Sequence, residues 1–283
     1  MSEQQMVGSY LEAVHLCQEF RIYYQPIVSL ETFRITGFEA LVHWQSPDHG
    51  FISSAELIPV AEEIGLIVPI DWWVLGEACR QVRAWQAKFP INPPLTISVN
   101  LSSRQFLRPH LLLKQIDQIL QQTSLDARNL NLDIPTNLLV KNIVAATATL
   151  LQLKALGVQL HIDNFGTGYS SVGYLHRLPL NTLKIDRAFV SKMDTDSEYS
   201  QIVKTCIKLA DNLSLDVIAN GVETAEQLAR LKALKCKYGQ GYFFSEPVDA
   251  KGVEALMMAN IKAHIYLEPH FCAFDNLSHF ARP

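Results

Sequence analysis

Cysteine is scarce and scattered in this chain. Its five cysteines, Cys17, Cys79, Cys206, Cys236 and Cys272, form no CxxC pair. That spacing suggests neither a zinc knuckle nor a disulfide framework and fits a reducing compartment. No uninterrupted apolar run is long enough for a membrane span, and the opening Met1-Ser2-Glu3-Gln4-Gln5 lacks the basic and apolar regions of a signal peptide, so a cytoplasmic location is expected. Charge is also sparse. Asp, Glu, Lys and Arg make up 18% of the residues and sum to a formal charge of -4, which speaks against a broad DNA- or RNA-binding surface. Gly166-Thr167-Gly168 has neither the Walker lysine pattern nor the dinucleotide fingerprint around it and reads, by itself, as a flexible turn. Internal repeats and low-complexity linkers are missing as well.

What the chain has is regular alternation. With 283 residues and 48% hydrophobic content it can bury a large single core. After an N-terminal helix over residues 10–19, two adjacent strands are expected at 23–28 and 33–44, followed by helices at 53–64 and 71–86. From there strands at 96–100, 131–134, 158–163, 182–185, 216–219 and 242–244 alternate with helices at 111–122, 140–156, 199–213, 225–234 and 250–258. The pattern gives an α/β fold, a TIM-type (β/α)8 barrel with an irregular first strand pair; an open α/β sheet is the alternative. The organisation expected is residues 1–19 as the N-terminal helix, 20–258 as the barrel, and 259–283 as a tail rich in aromatic residues and histidine, packed on the barrel or on a partner.

Polar groups recur at the ends of the strand-like runs: Glu39, Asn100, Asp133, Asp163, Lys184 and Glu223. A barrel whose strands open onto one rim would bring them together, which is where such folds keep their chemistry. Each also has a plainer reading. Glu39 can be a strand-end carboxylate satisfied by backbone amides, Asp163 can cap a turn, and Lys184 with Asp186 can form a structural ion pair on one strand face. His161 shares a strand face with Asp163 and is expected to pack in the core or behind a ligand rather than hold a metal.

From about Phe20 to Met258 the sequence resembles the EAL domain family. The blocks that carry the likeness are Tyr24-Gln25-Pro26-Ile27-Val28, Phe38-Glu39-Ala40-Leu41, Phe51 through Gly65, Ser98-Val99-Asn100-Leu101-Ser102, and Asp163 with Phe165-Gly166-Thr167-Gly168-Tyr169-Ser170-Ser171. Lys184-Ile185-Asp186, Gly221-Val222-Glu223-Thr224 and Gln240-Gly241-Tyr242 complete the set. The resemblance implies a variant barrel with one early antiparallel strand, whose active members hydrolyse cyclic di-GMP with two divalent metals. Carried over by position, it makes Glu39, Asn100, Asp133 and Asp163 the metal-binding set. Glu39, Leu41, His43, Asn100, Asp163 and Lys184 become the ligand-binding set. Lys184, Glu223 and Gln240 become the groups that organise the attacking water.

The chain departs from the family pattern at four places. His43 replaces a phosphate-holding arginine, Asp133 a longer glutamate, Asn164 a second aspartate, and Asn220 a metal-binding glutamate. An amide oxygen can coordinate a hard cation but adds no charge, and a neutral histidine offers single donors where arginine offers a fork. The expectation is therefore a degenerate member holding at most one Mg²⁺ or Mn²⁺. It would act through a partner protein or through residual cyclic di-GMP binding, with little or no hydrolysis. The alternatives are a weak metal-dependent phosphodiesterase and a scaffold with a closed nucleotide pocket. By the same resemblance, the loop Phe165 to Ser171 feeds a homodimer contact around Ser170 to His176 and the helix beginning near Tyr199, and the sequence adds Tyr169, Val172, Tyr174 and Leu175 as an apolar and aromatic cluster there.

Overall fold

The computed structural model describes residues 19–46, 50–136, 138, 143–166 and 175–267. The expected N-terminal helix (apart from Glu19), most of the loop after Gly166 and the tail beyond Leu267 lie outside these residues. So do Tyr169, Val172 and Tyr174 of the expected dimer cluster.

Two long strands open the fold, β1 (Phe20–Ser29) and β2 (Ile35–Ser46), paired antiparallel with Gln25 facing Glu39 across the ladder. A short strand β3 (Gly50–Ile52) pairs with the end of β2. Helices α1 (Ser54–Ile64) and α2 (Ile67–Lys88) follow. The Glu56 carboxylate accepts the Ser53 backbone N–H at 3.1 Å, so α1 begins where its Ser-x-x-Glu signal places it. Then come β4 (Thr96–Asn100), the short α3 (Ser103–Phe106), α4 (Pro109–Thr123), β5 (Leu130–Pro135), α5 (Ile143–Ala155) and β6 (Gln159–Phe165). The second half runs β7 (Thr182–Ile185), α6 (Arg187–Val190), α7 (Ser197–Asn212), β8 (Asp216–Asn220), α8 (Ala225–Ala233), β9 (Tyr238–Gln240) and α9 (Ala250–Leu267).

Hydrogen bonding runs β1-β9-β8-β7-β6-β5-β4-β2 and returns to β1, closing an eight-stranded barrel with β3 appended outside the ring. Strand β1 is antiparallel to both its neighbours, while β2 and β4 through β9 run parallel. This is the TIM-type barrel with one reversed early strand. The parallel strands are apolar because helices cover their outer faces, and buried Ile97, Leu132, Leu160 and Leu183 carry that layer. Trp85 of α2 is fully buried and seals one side, its ring 4.7 Å from Tyr24 and 5.4 Å from Phe38.

Three local expectations are corrected. The last barrel strand is Tyr238–Gln240, and Tyr242 to Phe244 form the turn after it. Asp186 is not on the strand with Lys184; it caps α6, its Oδ1 accepting the Ala188 N–H at 2.7 Å. The final helix, expected to stop at 258, continues to Leu267.

Candidate active site at the C-terminal rim

Parallel register places the polar strand ends side by side. Asn100 of β4 pairs with Asp133 of β5, Asp133 with His161 of β6, and Asn220 of β8 with Gln240 of β9. Because neighbouring residues in parallel register face the same way, these side chains converge inside one end of the barrel.

Lys184 stands at the centre of this group and is fully buried. Its Nζ donates to Asp133 Oδ2 at 2.5 Å and Glu39 Oε2 at 2.8 Å, and lies 3.8 Å from Asp163 Oδ1. Burial alone would strip the proton from the amine, but three surrounding carboxylates overcome it and hold the lysine charged, well above its usual range. The same balance works on Asp133. Burial pushes its pKa up, while Lys184 and His161 outweigh burial and keep the carboxyl below its ordinary value. Asp163 goes the other way: burial and the neighbouring charges of Asp133 and Glu39 outweigh the more distant Lys184 and raise it to about 6.

Glu39 is held from several directions. Its Oε1 accepts Asn100 Nδ2 at 3.0 Å, and its Oε2 accepts Gln240 Nε2 at 2.9 Å. Gln240 also donates to Gln25 Oε1 at 2.9 Å, while Gln25 reaches the Ser245 carbonyl at 3.3 Å. The sequence signal for Gln25 is its inward alternation on β1, opposite Glu39. His161 Nδ1 lies 3.2 Å from Asp133 Oδ1, in ion-pair range without hydrogen-bond alignment.

Several oxygens in this group are buried with no hydrogen-bond partner: Asp133 Oδ1, Asp163 Oδ1, Asn220 Oδ1 and Gln240 Oε1. Leaving such atoms unmatched costs stability, and an array of them is the donor chemistry that Mg²⁺ or Mn²⁺ accepts. The residues thus fit a hard cation. Among the described residues, however, no group of three or more His, Cys, Asp or Glu side chains is arranged as a ready metal cage, and the Lys184 ammonium stands among the carboxylates.

The remaining positions lie away from the cage. Asn164 is exposed, with φ 53, at a break in the β6–β7 register, so the side chain after Asp163 turns outward. Asparagine tolerates that left-handed backbone better than most residues. Gly166 follows with φ 106, and a Cβ there would meet the Phe189 ring at 2.6 Å, so only glycine fits the start of the loop. Glu223 is part-exposed and pairs with Arg187 at 3.4 Å, a partner the sequence reading did not identify. Its backbone N–H is fixed by Gln227 Oε1 at 2.7 Å at the start of α8. Leu41 is half-buried on β2, two residues from Glu39.

His43 closes the rim on the β2 side. Its Nδ1 sits 3.1 Å from the Leu41 carbonyl; its ring stacks on Phe51 at 4.8 Å and meets Tyr23 edge-on at 4.8 Å. Burial lowers its pKa, partly offset by the Leu41 carbonyl, so it is a neutral ring in an aromatic cluster at pH 7.

A closed barrel with acidic, amide and lysine side chains gathered at its C-terminal rim belongs to the (β/α)8 class with one ligand-facing end. The EAL domain matches residues 9–247, and the chain belongs to the EAL domain family. It is similar to the bifunctional diguanylate cyclase/cyclic di-GMP phosphodiesterase MucR of Pseudomonas aeruginosa, 40% identical over 230 residues that cover 81% of this chain and 33% of that protein. Among solved structures, the PaMucR phosphodiesterase in complex with cyclic di-GMP superposes with a TM-score of 0.81 at 37% identity, covering 88% of this chain and 99% of that one. The FimX EAL domain of Pseudomonas aeruginosa bound to cyclic di-GMP gives 0.74 at 26% identity, over 86% and 96%. The chain spans about a third of the length of the curated relatives it matches.

Proposed function

We propose that this chain is a degenerate EAL-domain signalling module. In this reading it engages cyclic di-GMP weakly, hydrolyses it little or not at all, and passes its signal in the cytoplasm by associating with a partner protein. The observation that carries the reading is the charge of the cage. Three carboxylates, Glu39, Asp133 and Asp163, face one buried ammonium, Lys184, leaving two negative charges when all are ionised. That balances one divalent ion. A pair of ions roughly 3.5–4 Å apart needs more negative charge to offset their repulsion, and Asn100, Asn164 and Asn220 supply none.

Glu39, Asn100, Asp133 and Asp163 would hold the single Mg²⁺ or Mn²⁺, which when bound would polarise a phosphoryl oxygen and acidify a water. The chain's own groups do less than the family resemblance asks of them. His43 presents no guanidinium fork to a phosphate, and its ring is committed to Phe51 and Tyr23. Glu223, the expected water-organising carboxylate, is directed toward Arg187. Lys184 and Gln240 both donate to Glu39, so they hold one another in place around it.

The second reading, a weak phosphodiesterase, is favoured by the unmatched oxygens of Asp133 and Asp163 and by the likeness to MucR. Titration calorimetry with cyclic di-GMP in Mn²⁺ tests the binding half of the proposal. A weak, saturable isotherm is expected; tight binding would contradict it, and a silent isotherm would move the reading to a scaffold with a closed pocket.

A further inference from the structure

The sheet face that carries Glu39 continues past the barrel and gathers three rings. Side chains alternate between the two faces of a strand, and residues paired across a ladder project from the same face. Glu39, Leu41, His43 and Gln45 of β2 therefore share one face. Gln25 and Tyr23 of β1 pair with Glu39 and Leu41, and Phe51 of β3 pairs with Gln45, so all three join it. Trp44 pairs with Phe20 of β1 and also with Ile52 of β3, which puts β3 on the flank of β2 opposite β1. Lower on the barrel that flank belongs to β4, where Ala40 pairs with Val99. Phe51 is thus set above the C-terminal end of β4, which carries Asn100.

The rings fix one another and leave one face open. His43 and Phe51 stack with their planes 23° apart and centroids at 4.8 Å. Tyr23 meets both nearly at right angles, 4.8 Å from His43 and 5.5 Å from Phe51. A ring that close to both members lies beside the stack; across Phe51 from His43 it would be about twice as far from His43. The Phe51 face turned away from His43 is therefore covered by neither ring. His43 beneath is 8% exposed, whereas Phe51 is 52% exposed. The phenyl ring is held in orientation from below and from one side and is bare above.

We infer that Phe51 is a base-stacking platform: the purine ring of a nucleotide lies on its open face, and Gln45, exposed beside it, offers its amide to the edge of the base. The inference rests on the proposed binding of cyclic di-GMP at this rim and names what holds the ligand there. His43, against which Phe51 stacks, is four residues along β2 from Glu39, about 13 Å at the rise of a strand. That is within the length of one extended nucleotide, so a base on Phe51 leaves its phosphate near the Glu39 cage. Stacking uses the π face that every base has and needs no charge on the protein. In place of the arginine fork expected from the resemblance, this chain holds its ligand by the base. A mononucleotide should therefore occupy the platform, and a sugar phosphate without a base should not.

The test is tryptophan fluorescence of the full chain carrying Phe51→Trp, with the native chain as the background for its four tryptophans. Guanosine 5′-monophosphate and cyclic di-GMP are each expected to quench the added signal saturably, and ribose 5-phosphate to leave it unchanged. In calorimetry Phe51→Leu, which keeps an apolar side chain without a π face, should bind cyclic di-GMP about tenfold more weakly than the native chain. Its circular dichroism spectrum should stay native; if it does not, the quenching of Phe51→Trp decides. Native affinity in a folded Phe51→Leu, or equal quenching by ribose 5-phosphate, would overturn the platform and leave nucleotide binding at the rim standing. No response to either nucleotide, in the native chain by calorimetry and in Phe51→Trp by fluorescence, would overturn both.

Discussion

Lys184 is the residue on which the rim depends. Its buried ammonium pairs with both Glu39 and Asp133 and helps to keep the fully buried Asp133 carboxyl charged against the cost of burial. Removing one partner of such a buried group typically costs about 3–5 kcal/mol. Lys184→Met should therefore lower the melting temperature sharply, and Mn²⁺ should recover part of the loss by binding the vacated carboxylates. A variant that melts like the native protein would show that the ammonium is not balancing them. In the proposed reading His43 limits affinity, so His43→Arg should tighten cyclic di-GMP binding by about tenfold. Calorimetry showing no gain would place the residue outside the ligand's reach.

Asp71 makes a third prediction at this scale. It lies on α2 beside Ser102, and burial raises its pKa to about 8, with the Ser102 hydrogen bond opposing and Glu62 reinforcing the rise. A carboxyl whose folded pKa exceeds its unfolded value binds more protons in the native state. Its contribution is present in acid and is lost as pH rises from about 4 through about 8. Asp71→Asn should remove that loss, so the variant should gain stability relative to the native chain between pH 6 and pH 9. Parallel melting curves across that range would refute the assignment.

Elements of this barrel were legible where a single period decides the outcome. Strands with inward alternation and helices with clear starts fall within a few residues of their expected places, as at Thr182–Ile185 and Ser54–Ile64. The last strand was misplaced because Tyr242-Phe243-Phe244 has the stronger β propensity, whereas Tyr238-Gly239-Gln240 has a glycine at its centre. Strand membership there is decided by pairing with β8 and β1, which one sequence cannot display. The rim residues were legible as polar strand ends, yet the Gln25–Gln240 bond and the Glu223–Arg187 pair were not, since nothing local marks the partner. Close strand packing gives its own test at Gly37 of β2. A Cβ there would meet the Thr96 carbonyl oxygen at 2.7 Å and crowd its side chain as well. Gly37→Ala should cost about 1–3 kcal/mol in urea denaturation, the usual scale of overpacking, and wild-type stability would contradict the close approach.

For the whole molecule, the barrel gives one chain two separate ends: a rim where the EAL-family residues gather and an opposite end with its own cavity. Among the described residues no helix is long and apolar enough to cross a membrane. A homodimer formed through the loop Phe165 to Ser171 remains our proposal, and a two-fold contact would leave both rims accessible. Leu175 of the expected dimer cluster is instead buried in the chain's own core. Light scattering over a dilution series should show a dimer that Tyr174→Glu weakens, and a monomer at every concentration would reject it. The central claim, that the cage carries charge for one divalent ion and not two, is tested most directly by chromatography of cyclic di-GMP incubated with the full chain and Mn²⁺. We expect negligible linear product from the native chain and measurable product from the variant carrying Asp133→Glu and Asn220→Glu together; rapid turnover by the native chain, abolished by Glu39→Ala, would contradict the account.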